Sequence, residues 1–352
     1  MIPVHNLQFR RLELVLVAVL VSLLVGGTQA ASAASDLRVY FIDVDGGQST
    51  LFVTSAGKSL LIDTGWAGND GLDAKRIVAA AKDAGVTKID YVLLTHYHAD
   101  HAGGVPELVQ RIPVGTFIDH GPTSPTDPST TKWFAAYQEV LAKGHYGHIV
   151  AKPGEVLPIT GIKAVVVSAN GDLISHPLPG AGQPNPYCKD SETRPADKTD
   201  NSRSVGTLFT FGKVKILDLG DLTWDKEMQM MCPVNKLGKV DILVVSHHGL
   251  FQSSSPALVE AVAPRIAIMN NGEKKGGSPP TFDTLAKSPG LETLWQLHYS
   301  DEAAAKNSAA QYIANINNGA DAANYLKLTV KPSGSFSVFN SRTGATKDYA
   351  AR

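Results

Sequence analysis

Residues 89–101 read Ile-Asp-Tyr-Val-Leu-Leu-Thr-His-Tyr-His-Ala-Asp-His, an apolar run that stops in a dense set of metal-binding side chains. Ile89 to Thr95 predicts a buried strand, since a short apolar stretch bounded by turn signals has strand length. The end of such a strand is where open α/β sheets place their ligands. His96 and His98 are two residues apart, so on extended backbone they share a face. Asp100 and His101 follow as the chain turns towards a helix, and can address a second ion. Imidazole and carboxylate suit zinc, manganese or iron. A purely structural role for four titratable groups in six residues would need hydrogen-bond partners that the apolar flanks do not supply.

Two more predicted strands end in ligand types. Leu217-Asp218-Leu219-Gly220-Asp221 closes one, and Asp221 could bridge two metals. Val244-Val245-Ser246-His247-His248-Gly249 closes another. Each is weak alone, because Gly-Asp is usually a turn and a strand-end histidine is often structural. Together with the first motif they form an ordered set.

Around these ends the pattern alternates. Strands are predicted at Leu37 to Asp43, Thr50 to Thr54, Lys58 to Asp63, Gly115 to Asp119, Ile162 to Ser168, Val205 to Phe211, Val214 to Asp218, Val240 to Ser246, Arg265 to Met269 and Thr293 to Leu297. A terminal hairpin is expected from Tyr325 to Val330 and Ser335 to Asn340. Helices are predicted at Asp73 to Ala84, Val105 to Ile112, Thr131 to Lys143, Pro256 to Val262, Thr281 to Lys287 and, from its alanine content, Asp301 to Ile316. Residues 169–202 are rich in Pro, Gly, Asn and Asp and read as a long loop. This order implies two mixed sheets packed together with helices outside, as one domain over residues 35–352.

His-x-His-x-Asp-His, then Gly-Asp, then a strand-terminal histidine resembles the metallo-β-lactamase superfamily, with Leu61-Ile62-Asp63-Thr64-Gly65 as its early strand motif. The chain looks most like the hydrolase domain of ComEC-type competence proteins, through Phe41-Ile42-Asp43-Val44, Asn201-x-x-Ser204, Gly220-Asp221 and His247-His248-Gly249. The resemblance covers roughly residues 37–270. It implies an αββα sandwich and a two-metal hydrolase site. His96 and His98 would hold the first metal, Asp100, His101 and His247 the second, and Asp221 would bridge, with His248 as the alternative to His247. Two such ions, about 3.5–4 Å apart, would lower the pKa of a shared water, and Asp100 would orient it or take its proton. Where many superfamily members add a histidine before the bridging Asp, this chain has Asn201 and, remotely, His176. The turn Asp45-Gly46-Gly47-Gln48 differs from the usual glycine-rich turn of the ComEC-type proteins.

The 352 residues carry a formal net charge of −1, with 43% hydrophobic and 18% charged residues, which reads as a packed globular chain. That charge gives long nucleic acid no support as a partner, so a small molecule or a cell-surface polymer is the expected substrate. Arg10-Arg11, the apolar run Leu14 to Val25 and Ala31-Ser32-Ala33 predict a signal peptide over residues 1–34. The expected location is therefore periplasmic or secreted, with no stable membrane span after processing. In an oxidising compartment Cys188 and Cys232 can form a disulfide. Asn270-Asn271-Gly272 and Lys274-Lys275-Gly276-Gly277 are candidates for contacting an anionic substrate near the site, and His120 and His298-Tyr299 for lining it. Three functions remain open: a phosphodiesterase-like hydrolase, a hydrolase of a lactone, ester or β-lactam, and a metal-bearing binding module of low turnover.

Overall fold

The first strand alternates between two cores. Leu37, Val39 and Phe41 are buried in one, and Tyr40 and Ile42 in another. Successive side chains of a strand point to opposite faces, so a strand that is apolar on both must be covered on both. This requirement builds the layers. The computed structural model describes Met1, residues 35–316 and 323–352; the rest of the segment read as a signal peptide lies outside them.

In chain order the strands are β1 (Leu37–Phe41), β2 (Thr50–Val53), β3 (Ser59–Ile62), β4 (Ile89–Leu93), β5 (Val114–Asp119), β6 (Gly147–Val150), β7 (Lys163–Ala169), β8 (Asp172–Leu173), β9 (Gln183–Pro184), β10 (Gly206–Phe211), β11 (Val214–Asp218), β12 (Val234–Asn235), β13 (Ile242–Val244), β14 (Ile266–Met269), β15 (Thr293–His298), β16 (Ile313–Asn315), β17 (Leu326–Val330), β18 (Phe336–Asn340) and β19 (Ala345–Tyr349). The helices are α1 (Leu72–Asp83), α2 (Ala99–Ala102), α3 (Val105–Leu108), α4 (Thr131–Lys143), α5 (Trp224–Met231), α6 (Pro256–Val262) and α7 (Pro279–Lys287).

One sheet runs β19-β18-β17-β1-β2-β3-β4-β5-β6, the other β16-β15-β14-β13-β11-β10-β7-β8, and β12 pairs with β9 apart from both. In the first, β3 to β6 are parallel; in the second, β11 and β13 to β16 are. The middle core contains Phe52, Ile62 and Leu93 from one sheet and Phe209, Ile216 and Val244 from the other. Phe52 and Phe209 meet across it at 4.6 Å between ring centroids. Ile77, Leu108 and Tyr137 from α1, α3 and α4 cover the outer face of the first sheet, and Met230, Leu258 and Leu285 from α5, α6 and α7 that of the second. The fold is therefore an αββα sandwich, with the two packed sheets and outer helices that the strand order implied and the architecture that the resemblance implied.

The helix expected over Asp301 to Ile316 does not form. Short 3-10 turns stand there at Ala304–Lys306 and Ala310–Tyr312, followed by β16. Asn307 donates to Ser300 O and accepts from Ser300 N, and Ser308 N donates to Gln296 Oε1. Buried Ile313 and Ala314 then join β15 in parallel pairing. Side chains bonding to nearby backbone, together with a free sheet edge, outweigh alanine's helix propensity. The terminal hairpin β17–β18 pairs with β1, and the unexpected β19 extends that edge.

Cys188 and Cys232 are joined by a disulfide with a sequence separation of 44. It ties the long loop to the C-terminal end of α5. Closing a loop of that length predicts that Cys188→Ser/Cys232→Ser loses about 2–4 kcal/mol in urea unfolding. Glu227 of α5 is fully buried and accepts hydrogen bonds from Ser254 N at 2.8 Å and Ser255 N at 2.7 Å. Burial outweighs these bonds and raises its pKa from 4.5 to about 7. A raised carboxyl pKa means that the folded state holds the proton more tightly. Its stabilising effect is complete below pH 4.5 and is lost as pH rises to about 7. We expect the unfolding free energy of wild type, relative to Glu227→Gln, to fall by on the order of 3 kcal/mol across that window. Equal pH slopes for the two proteins would contradict this.

Candidate metal centre

The carboxyl ends of parallel strands from both sheets converge here. β3 delivers Asp63 and β4 leads into His96, His98 and then α2, with Asp100 and His101. β11 leads to Asp221, β13 to His247 and His248, and β14 to Asn270. Backbone bonds fasten the ends together. Asp63 N donates to Leu93 O at 2.9 Å, Val205 N to Thr95 O at 2.8 Å, and His247 N to Gly220 O at 3.0 Å.

Two of these ends need left-handed backbone. Asp63, His247 and His248 have φ of 58°, 54° and 54°, a region that costs non-glycine residues energy and is concentrated at functional sites. At Gly276 a Cβ would fall 2.2 Å from His248 O, and φ is +82°. Glycine there lets the 272–277 loop close on the histidine pair, with Gly277 N donating to His248 O at 2.9 Å.

Asp100, His101, Asp221 and His248, all buried, each offer a ligand atom within 4.8 Å of the others. His101 Nε2 lies 3.2 Å from both Asp100 Oδ2 and Asp221 Oδ2. His248 Nε2 lies 3.1 Å from Asp100 Oδ2 and 3.5 Å from Asp221 Oδ2. His247 Nε2 at 3.5 Å and His96 Nε2 at 3.8 Å also approach Asp221 Oδ2. His98 Nδ1 approaches His96 Nε2 at 2.9 Å.

Outer partners set the rings. Asp63 Oδ2 takes His101 Nδ1 at 2.7 Å, Asn270 O takes His248 Nδ1 at 3.0 Å, and Asp127 Oδ2 takes His98 Nε2 at 2.8 Å. Ser253 Oγ donates to Leu222 O and accepts from His247 Nδ1 at 3.3 Å. Such acceptors fix the tautomer and leave the opposite nitrogen as a lone pair. The Nε2 atoms of His101 and His248 then face each other at 3.1 Å, an arrangement that calls for a cation between them. Asp221 Oδ1 is buried without a hydrogen-bond partner, and an orphaned carboxylate oxygen is costly unless it meets positive charge. The donor set fits divalent metal.

Without metal, protons carry this charge balance. Burial opposes charge on His101, but Asp221, Asp100 and Asp63 together push its pKa well up. Burial would raise Asp221, yet His101, His248 and His247 hold it well below the carboxylate range. Burial also lowers His96 well below its usual value.

Of the seven sequence-predicted residues, Asp100, His101, Asp221 and His248 form this cluster, His96 and His247 approach Asp221, and His98 reaches it only through His96. The tight set takes His248, the alternative, where the resemblance suggested His247, which approaches Asp221 Oδ2 at 3.5 Å from outside that set. Asn201 donates to His247 Nε2 at 3.3 Å, and His176 is exposed. His120 is buried against Asp200, and His298 bonds Asp43 at 2.7 Å. Sequence reasoning passed over Asp127, whose Asp-Pro-Ser setting reads as a turn, and Gln48, which reaches Asp218 Oδ2 at 2.9 Å. Lys275 ion-pairs with Asp100.

The family model described as "Metallo-beta-lactamase superfamily" matches residues 43–183. The chain is 26% identical over 252 residues to "Recombination protein 2" of Haemophilus influenzae, covering 71% of this chain and 26% of that protein. It therefore spans about a quarter of that relative's length. Similar solved structures include a metallo hydrolase from Ignicoccus hospitalis (13% identity, 89% of this chain and 100% of that one, TM-score 0.41). CmlA, a diiron β-hydroxylase from Streptomyces venezuelae, shows 15% identity over 68% of this chain and 45% of its own, with TM-score 0.39. A diphosphatase from the PhnP family shows 15% identity over 67% and 87%, with TM-score 0.35.

Asp63 carries a specific expectation, because it orients His101 and also accepts from Thr95 N at 2.8 Å. Asp63→Asn should weaken zinc binding about 10- to 100-fold in a competitive chelator titration. Unchanged affinity would remove it from the metal-supporting set.

Proposed function

This chain carries a metallo-β-lactamase superfamily domain, and from that premise we propose that it is an exported hydrolase that uses two divalent ions, zinc foremost, to cleave a phosphodiester. The observation that carries the reading is the meeting of Asp100, His101, Asp221 and His248, from three separate strand ends, within 4.8 Å. Asp100, His101 and His248 would hold one ion. His96, His98 through Nδ1 and His247 would hold the other, with Asp221 between them. In this assignment His247 takes the place of the histidine that Asn201 replaces. When bound, the metals supply Lewis acidity and lower the pKa of a water molecule.

The chain's own residues do the rest. Asp63, Asn270, Asp127 and Ser253 hold the imidazoles in register, so little reorganisation is needed during reaction. Asp100, 6% exposed, would orient a nucleophile or accept its proton. A curated relative named as a recombination protein supports a phosphodiester as the bond attacked. The net charge of −1 favours a small phosphodiester or a cell-surface polymer over long nucleic acid. The disulfide supports an oxidising compartment. Among the described residues no helix is long and apolar enough to cross a membrane.

The test is a panel of bis-p-nitrophenyl phosphate, nitrocefin and a chromogenic lactone, each with zinc and with manganese. We expect turnover of the phosphodiester, reduced at least about 100-fold in Asp221→Asn. Preferential turnover of nitrocefin or the lactone would move the function to carbonyl chemistry, and no turnover by fully metallated protein would point to a binding module. Elemental analysis should show His247→Ala and His248→Ala each losing one metal of two.

A further inference from the structure

Lys275 is the cation of this pocket that the metal assignment leaves without a task. Its side chain is 32% exposed, and its ammonium pairs with Asp100 while lying 4.6 Å from the centroid of the Trp66 ring. Among the described residues, no other lysine or arginine pairs with a carboxylate of the cluster. The loop presenting it is fastened at several points. Gly272 N donates to Lys275 O at 2.8 Å, Gly277 N to His248 O at 2.9 Å, and Ser278 N to Gly249 O at 2.9 Å. Its Cβ also stands where Gly46 has none: a Cβ added there would lie 2.9 Å away. The lysine is thus held in step with His248 from below and by the 45–48 turn from the side.

A lysine built only to neutralise Asp100 would compete with a metal for the same carboxylate oxygen. Once metal takes that oxygen, the ammonium remains at the rim, over an aromatic face that favours a cation and partly open to solvent. Bound divalent ions would outweigh the negative charges of Asp100 and Asp221, so the site would then draw anions, and Lys275 is a part-exposed ammonium that already reaches a carboxylate of the cluster. We propose that Lys275 is the substrate-binding residue of this site and takes a non-bridging phosphoryl oxygen, with Trp66 holding the ammonium in place. This rests on the hydrolase reading above and names the group in the substrate that the protein recognises.

The experiment is calorimetric titration of inorganic phosphate into the zinc-loaded full chain, with zinc content measured on each sample. Lys275→Met should retain the wild-type zinc content and bind phosphate roughly 10- to 100-fold more weakly. Lys275→Arg should restore part of that binding, because it returns a cation able to donate to a phosphoryl oxygen. Trp66→Leu should weaken phosphate binding about threefold. Equal phosphate affinity in wild type and Lys275→Met overturns the proposal. So does a zinc content that falls in Lys275→Met, since the lysine would then act through the metal site. Wild type that takes up zinc but not phosphate also overturns it, leaving the hydrolase reading standing. Wild type that takes up no zinc sinks the hydrolase reading itself, and this inference with it.

Discussion

The Asp221 carboxylate sits among four imidazoles in the interior, and much of the molecule is arranged around that fact. One of its oxygens lies within 3.8 Å of His96, His101, His247 and His248 Nε2, and the other has no hydrogen-bond partner. A buried carboxylate is tolerated only against positive charge. With protons on His101 and His248 the cluster can balance itself, and with divalent metal it does so while freeing the rings as ligands. Either way the surrounding backbone must hold the groups close against their mutual repulsion.

The sandwich supplies that rigidity. The strand ends that bear the cluster grow from the centres of two sheets whose shared core is filled by Phe52, Phe209, Val244 and Trp295. Glu227, the Ser253–Ser255 turn and α6 brace the far side of the histidine pair. Left-handed backbone at Asp63, His247 and His248 is costly and persists where surrounding bonds hold it, here Asp63 N to Leu93 O, His247 N to Gly220 O and Gly277 N to His248 O. The consecutive left-handed histidines bring both Nε2 atoms to 3.5 Å from Asp221 Oδ2 while their ring centroids stay 6.2 Å apart.

Positive charge is distributed with equal economy. The chain is nearly neutral overall, so attraction for an anion must be local. The 272–277 loop, carried between β14 and α7, sets Lys275 beside Asp100, while pairs such as Lys58–Asp90, Lys143–Glu139 and Lys306–Asp283 lie on the surface.

The ligand types, their order and their place at strand ends could be read directly from the chain, because motif spacing and apolar runs are local properties. So could most strands, since alternation in Leu37 to Phe41 or Val214 to Asp218 is also local. The helix expected over 301–316 failed because its propensity was outweighed by an edge of β15 and by Asn307, neither visible in a window of sequence. Which of His247 and His248 joins Asp100 depended on backbone dihedrals that no side-chain pattern encodes. Asp127, Gln48 and Lys275 reach the site across 29, 170 and 175 residues of chain. Asp127 meets His98 once β4 and β5 have paired, and Gln48 and Lys275 find their partners only when the two sheets have packed, so the sequence alone determined the chemistry available and the tertiary structure decided which groups share it.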